Sequence, residues 1–155
     1  NREREDIDMG GVSFRNLLLG VVAGTLAAAS VHELIALWLS SAGHSAQAPW
    51  SLEPSPATGL PQIAAVIAWG GLWGAVFAFL LGDAPEGAMT VRGFFLGLAG
   101  PALIGVLVLV PLIRGETLFL NANLNEIWPV LLLGAGLGAA TAWLYGFFTA
   151  GFRLP

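Results

Sequence analysis

Four long apolar segments dominate the pattern of hydrophobic and polar positions along the chain, and polar or proline-rich segments separate them. The apolar segments cover residues 14–41, 61–82, 90–113 and 128–149. Each has about the ~20 residues that a helix rising ~1.5 Å per residue needs to cross the ~30 Å hydrocarbon layer of a bilayer. The pattern therefore predicts an all-α integral membrane bundle of four transmembrane helices.

The polar segments set the predicted boundaries of these helices. Residues 1–13 are expected to form a cytoplasmic tail ahead of a membrane domain at 14–155, with Ser13 as the N-cap of the first helix. Four prolines between residues 43 and 61 exclude a helix there. Asparagines at alternate positions between residues 114 and 127 offer an N-cap for the fourth helix.

The composition agrees with a membrane location. Of the 155 residues, 56% are hydrophobic and 10% are charged, whereas soluble domains carry ~25% charged residues. The sequence has no cysteine, which excludes disulfides and thiolate metal sites, and no basic stripe that would neutralise nucleic acid phosphates. All six basic residues are arginine, and glycine and alanine are frequent, as in proteins from GC-rich bacterial genomes. The expected partners are the lipid bilayer and other membrane protein subunits.

The arginines predict the orientation of the helices. With four spans, five of the six arginines lie on the side of the termini, and only Arg114 lies on the opposite side. Arginine and lysine are enriched in cytoplasmic segments. Both termini are therefore predicted to be cytoplasmic, in a multi-pass protein of the bacterial inner membrane. The five arginines are Arg2, Arg4, Arg15, Arg92 and Arg153.

Small residues recur at every fourth position in each predicted helix. Helices gain no hydrophobic driving force from one another in lipid, so close backbone approach over such rows supplies the packing. The rows predict a tightly packed bundle, within one chain or between chains. They consist of Gly20, Gly24 and Ala28; Gly70, Gly74 and Ala78; Gly93 and Gly97; and Gly134 and Gly138. Pro101 follows Gly97 at the same spacing and predicts a kink in the third helix.

A weak internal repeat relates the two halves of the chain. Residues 70–82 align without gaps with residues 134–146 and match at six of thirteen positions. The first and third helices align through Gly20 and Gly97, which places Glu33 opposite Val110. The pattern predicts a duplicated helical hairpin, and chance matches between helices rich in glycine and alanine are the alternative.

Two ionisable residues, His32 and Glu33, lie in the apolar part of the first helix. Ionisable side chains are costly inside a bilayer, so such a pair marks a pathway, a ligand site or a buried partner. His32 continues the row of Gly24 and Ala28 at four-residue spacing and is therefore predicted on the packed face. Glu33 is predicted about 100° further round the helix.

Three interpretations of this pair stay open. The side chains form ordinary hydrogen bonds to neighbouring helices, or they form a proton or cation site, since free histidine changes its charge near neutral pH. In the third interpretation, His32 is the axial ligand of a chlorin or haem, while any metal stays unidentified. Trp69, Trp73 and Phe77 form an aromatic stripe that either stacks on such a cofactor or packs against helices and lipid.

Two parts of the sequence resemble other proteins, the first over about ten residues and the second over most of the chain. Residues 28–32, Ala-Ala-Ser-Val-His, with Trp38 six residues further on, resemble the Ala-x-x-x-His pattern of light-harvesting polypeptides. That resemblance implies that His32 binds a bacteriochlorophyll magnesium and that Ala28 makes room for the ring. Residues 68–74, with the proline-rich segment before them, resemble small uncharacterised four-span proteins of the proteobacterial inner membrane, which implies no activity.

The sequence shows no arrangement of residues typical of an active site, so no enzymatic activity is expected. The preferred function is that of a non-enzymatic accessory or assembly subunit of a larger inner-membrane complex, energy-transducing or pigment-containing. The alternative is a small homo-oligomeric proton- or cation-coupled transporter or channel that uses His32 and Glu33. Four polar residues on the predicted outer side form either a cation-collecting group or a solvated surface: His44, Glu53, Glu116 and Glu126.

Overall fold

A computed structural model describes residues 8–9, 12–45, 48–55, 59–82 and 86–151. Four helical segments are long and apolar enough to cross a membrane, which confirms the predicted all-α bundle of four transmembrane helices. The protein is therefore a multi-pass membrane protein. We name these segments span 1 (Phe14–Ser41), span 2 (Gln62–Leu81), span 3 (Met89–Arg114) and span 4 (Leu124–Ala150).

Spans 1 and 3 each contain a π-helical segment between two α-helices. Span 1 consists of α1 (Phe14–Ala27), a π-helical segment (Ala28–His32) and α2 (Glu33–Ser41). Span 2 is α3 (Gln62–Leu81). The third helical segment consists of α4 (Glu86–Gly97), a π-helical segment (Leu98–Leu109) and α5 (Val110–Arg114), and span 4 lies in α6 (Leu124–Gly151). A two-stranded hairpin (β1, Asp8–Met9; β2, Val12–Ser13) precedes α1, and a 3-10 turn (Leu118–Ala122) precedes α6.

Polar caps explain where two of the helices begin. The Ser13 hydroxyl accepts the backbone N–H of Asn16 at 3.4 Å, as the sequence predicted. The Asn123 side-chain oxygen accepts the backbone N–H of Asn125 at 3.1 Å, and its amide donates to Glu126 at 2.6 Å. Because this cap lies at residue 123, the fourth helix begins four residues before the predicted position 128. Pro129 therefore lies inside the helix.

In place of a simple kink at Pro101, span 3 has its long π-helical segment there. Proline has no N–H group to donate to the carbonyl four residues earlier, so it interrupts the α-helical hydrogen bonds. A π-helix pairs residues five apart and accommodates such an interruption. The helix then ends at Arg114, where Gly115 takes the left-handed conformation at φ 68°.

Spans 1 and 2 are in backbone contact through their glycines. A Cβ atom added to Gly24 would lie 2.1 Å from the carbonyl oxygen of Gly70, and one added to Gly74 would lie 2.1 Å from the carbonyl oxygen of Gly20. No side chain fits at these positions. The glycine rows of the first half are therefore used within the chain.

Spans 3 and 4 pack in the same way. Gly97 faces Gly134 and Gly138, and a Cβ atom at Gly97 would lie 2.1 Å from the Gly134 carbonyl oxygen. By the partners that they contact, Gly93 is equivalent to Gly20 and Gly97 is equivalent to Gly24. Each equivalent pair is 73 residues apart in the sequence. The sequence alignment of Gly20 with Gly97 is therefore wrong by one helical turn, because it followed residue identity instead of the partner that each glycine contacts.

Spans 1 and 2 form one helical hairpin, and spans 3 and 4 form the other. The two hairpins contact each other along two lines. Ile35 of span 1 lies against Gly136 of span 4, since a Cβ atom there would approach the Ile35 Cδ1 to 2.2 Å. Trp69 and Trp73 of span 2 lie against two glycines of span 3, Gly105 and Gly100. The aromatic stripe therefore packs between the hairpins. A buried cluster completes the core and contains Ala23, Phe77, Ala78, Leu81, Met89, Ala142 and Tyr145.

Candidate functional site

Among the residues whose burial the structure describes, Glu33 is the one acidic or basic residue that is buried. Only 4% of Glu33 is exposed, and the polar residue Thr141, at 2%, is buried as well. The Thr141 hydroxyl donates to the carbonyl of Leu137 in its own helix at 2.7 Å, an ordinary arrangement. Glu33 is different, because one of its two partners, the backbone N–H of Trp50, comes from outside its own helix.

The π-helical segment explains why Glu33 is enclosed. In an α-helix, with about 3.6 residues per turn, His32 would follow Ala28 on the packed face. A π-helix pairs residues five apart, so Glu33 follows Ala28 there instead, and both residues are buried. The His32 side chain stays 20% exposed. The expectation that His32 occupies the packed face is therefore corrected by one residue.

Both oxygens of the Glu33 carboxylate are engaged. Oε1 lies 3.0 Å from the His32 Nδ1 atom, and Oε2 accepts the backbone N–H of Trp50. In its ionised form a carboxylate only accepts hydrogen bonds, and Nδ1 of His32 is the donor of this pair in that state. The Nε2 atom of His32 is then the nitrogen left for a proton or a ligand.

Trp50 reaches span 1 from the loop between spans 1 and 2, which we call the first loop (residues 42–61). Besides its backbone bond to Glu33, its indole N–H donates to the carbonyl of Ala29 at 2.9 Å. Its backbone is left-handed, with φ at 48°. Residues other than glycine rarely adopt this conformation. Sequence reasoning missed this role of Trp50, because nothing local indicates a partner 17 positions away.

A partly open cavity of about 240 Å³ adjoins the pair on the side of the bundle where spans 1 and 2 are joined. We call it the loop-side cavity. Span 1, the first loop and span 4 surround it. Five polar residues share its lining with apolar side chains: His32, Glu33, His44, Ser45 and Glu126.

The structure brings two of the four outer polar residues to this cavity. His44 and Glu126 line it, whereas Glu53 and Glu116 do not. The His44 ring packs edge-on against Trp128 with 4.9 Å between the ring centroids. Among the described residues, no group of three His, Asp or Glu side chains could hold a metal ion.

The volume of the loop-side cavity argues against a chlorin or haem bound inside it. Sites for small organic ligands and cofactors have volumes of ~300–1,000 Å³, and the loop-side cavity, at about 240 Å³, lies below that range. A chlorin or haem on His32 therefore does not fit into this cavity. Its imidazole and carboxylate groups suit protons and small cations instead.

Comparison of the chain with protein-family models, with curated proteins and with solved structures finds no match. The two resemblances noted in the sequence therefore stay predictions, and the function has to be inferred from the geometry of the site.

Proposed function

We propose that this membrane protein is a small proton- or cation-coupled transporter in which His32 and Glu33 form the coupling site. The observation that carries the proposal is the buried Glu33 carboxylate, paired with His32 at 3.0 Å beside a polar cavity. An ionisable pair is costly to place in a membrane span, so its presence favours a role in moving charge.

The cavity supports this proposal by giving the pair access to water. Its volume of about 240 Å³ accommodates several water molecules, each of which takes ~30 Å³ in the liquid. A proton or small cation entering there meets His44 and Glu126 near the rim and the His32–Glu33 pair further in. With the orientation that the arginines predict, the cavity faces the outer side of the membrane.

The packing of the hairpins supports transport as well. Backbone-to-backbone glycine contacts join span 1 to span 2 and span 3 to span 4, so each hairpin is a stiff unit. The cavity lies between span 1 and span 4, where the hairpins meet. In many transporters the site lies between structural repeats, and rigid-body motion of the repeats exposes it to either side.

The accessory-subunit function loses its original support. The small-residue rows suggested a surface for partner proteins, but the structure pairs these rows with one another inside the chain. A role in a larger complex would need a different surface, and the described faces of the spans carry lipid-compatible side chains such as Leu18, Val22 and Leu72.

A flux measurement tests the proposal. Protein reconstituted into vesicles that enclose a pH-sensitive dye would be given a pH gradient, or a gradient of Na⁺ or K⁺, and the change in internal pH followed. We expect flux with the wild type and background flux with Glu33→Gln. Glu53→Gln is the matched control, because Glu53 is an exposed carboxylate outside the cavity. Equal flux with Glu33→Gln and wild type would contradict the proposal.

A further inference from the structure

Trp50 makes two hydrogen bonds to span 1, one from each of its N–H groups. The backbone N–H donates to the Glu33 carboxylate, and the indole N–H donates to the Ala29 carbonyl. The two acceptors lie four residues apart, about one turn of the helix. One residue of the first loop therefore fastens the loop to the turn that carries the buried carboxylate.

The π-helical segment makes the second of these bonds available. In an α-helix the Glu33 N–H would donate to the carbonyl of Ala29, four residues earlier. In this structure the Glu33 N–H donates to the carbonyl of Ser30 instead. The Ala29 carbonyl is thus released from its α-helical partner and accepts the Trp50 indole.

The backbone conformation of Trp50 indicates that its attachment to span 1 constrains the first loop. Its φ of 48° is left-handed although the residue carries a large side chain. Such conformations persist only where the surrounding structure holds them, and they cluster at functional sites. The two hydrogen bonds to span 1 are among the interactions that hold this one.

We infer that Trp50 is the positioning residue of the coupling site. Its two bonds hold the Glu33 carboxylate turned towards His32 and keep the first loop across it. Water and small cations reach the carboxylate through the loop-side cavity, whereas a bulky reagent reaches it only when the indole leaves the Ala29 carbonyl. The inference rests on the proposed function for its role in transport, whereas the position of the carboxylate is measurable by itself.

Chemical labelling of Glu33 tests this inference. The full chain in proteoliposomes would be treated with a hydrophobic carbodiimide, and the modified fraction of each carboxyl group measured by peptide mass spectrometry. Trp50→Phe keeps an aromatic ring and the backbone N–H, and it removes the five-membered part of the indole together with its N–H. Trp50→Gly removes the ring and suits the left-handed backbone.

Loss of one hydrogen bond shifts an opening equilibrium by roughly two- to ten-fold. We expect Glu33 to be labelled faster by that factor in Trp50→Phe and faster still in Trp50→Gly. Glu53 and Glu126, measured in the same samples, should keep their wild-type rates. Trp143→Phe is the matched control, because Trp143 is 60% exposed and distant in sequence from the site. It should leave Glu33 labelling unchanged.

Two results would overturn the inference: wild-type labelling of Glu33 in both Trp50 variants, or a common rise at Glu33, Glu53 and Glu126, which would report general loosening. The flux assay separates this inference from the proposed function. Faster labelling in the Trp50 variants together with normal flux in Glu33→Gln would support the positioning role and contradict the transport proposal.

In active protein, Trp50→Phe should change the ion concentration for half-maximal flux more than it changes the maximal flux.

Discussion

At the scale of single residues, the pairing of Glu33 is the feature that a packing role does not explain. The second hairpin provides a natural comparison. Ala102 contacts Gly134 as Ala28 contacts Gly70, and these alanines lie 74 residues apart. The same separation leads from Glu33 to Leu107, which is fully buried. The hairpin without the ionisable pair therefore has an apolar side chain at the equivalent position.

This comparison predicts that Glu33→Leu folds well and does not transport. Removing one partner of a buried ion pair costs about 3–5 kcal/mol where the other charge is left buried. The His32 side chain is 20% exposed and lines the cavity, so the cost should lie below that range. We expect the free energy of unfolding to fall by less than about 3 kcal/mol, while flux falls to background. Thermal unfolding in detergent and the vesicle assay measure the two effects. A strongly destabilised Glu33→Leu protein would show that the carboxylate serves the fold.

At the scale of elements, the π-helical segment of span 1 decides which residue is enclosed. Removing one residue from such a segment restores regular α-helical spacing, and Ser30 is exposed, with its hydroxyl bonded to the carbonyl of Leu26. Deletion of Ser30 leaves Glu33 four residues after Ala28 and therefore still on the packed face.

We predict that the Ser30 deletion folds, as measured by circular dichroism and size-exclusion chromatography. In this variant the Ala29 carbonyl regains a helical N–H donor, so the indole of Trp50 loses its acceptor. Glu33 should then be labelled by carbodiimide at the rate seen in Trp50→Phe, and adding Trp50→Phe should have no further effect. An additive effect of the two changes would show that the π-helical segment does not provide the bond.

The glycine rows are the second element-scale feature, and they predict a matched pair of effects. Gly24→Ala and Gly97→Ala each place a methyl group about 2.1 Å from a backbone carbonyl oxygen of the partner span. Overpacking against backbone costs about 1–3 kcal/mol, so we expect both variants to lose that much unfolding free energy in detergent. Ala68→Leu on the exposed face of span 2 is the control and should change little. Unchanged stability in Gly24→Ala and Gly97→Ala would contradict the packing.

At the scale of the whole molecule, the two hairpins, each joined by glycine backbone contacts, meet beside the cavity. The chain contains no cysteine, so engineered disulfides can lock chosen contacts. Ile35 and Gly136 lie against each other across the two hairpins, whereas Thr25 and Gly71 lie against each other within one hairpin. Paired substitutions at these positions distinguish motion between hairpins from motion within them.

We predict that the pair Ile35→Cys with Gly136→Cys loses flux on oxidation and regains it on reduction, because the proposed transport requires rigid-body motion of the hairpins. The pair Thr25→Cys with Gly71→Cys should keep its flux in both states. Disulfide formation is verified by mass spectrometry before each vesicle measurement. Full flux in the oxidised protein with Ile35→Cys and Gly136→Cys would rule out motion between the hairpins at this contact.

Much of the fold could be predicted from the sequence because it depends on local properties. The four spans follow from the length of the apolar segments, and Ser13 was recognised as an N-cap from its place before such a segment. The fourth helix begins earlier than predicted, since Asn123 supplies its cap several residues before Pro129. Among the asparagines of that loop, local pattern alone did not single out Asn123.

The sequence by itself determined the membrane class, the four spans, the small-residue rows and the presence of an ionisable pair in span 1. These follow from hydrophobic length and four-residue spacing, which neighbouring residues set. Only the tertiary structure decided that Glu33 is the enclosed partner, that Trp50 binds it and that His44 and Glu126 share its cavity. Those contacts join residues distant in the chain and depend on a local departure from α-helical spacing, which composition does not reveal.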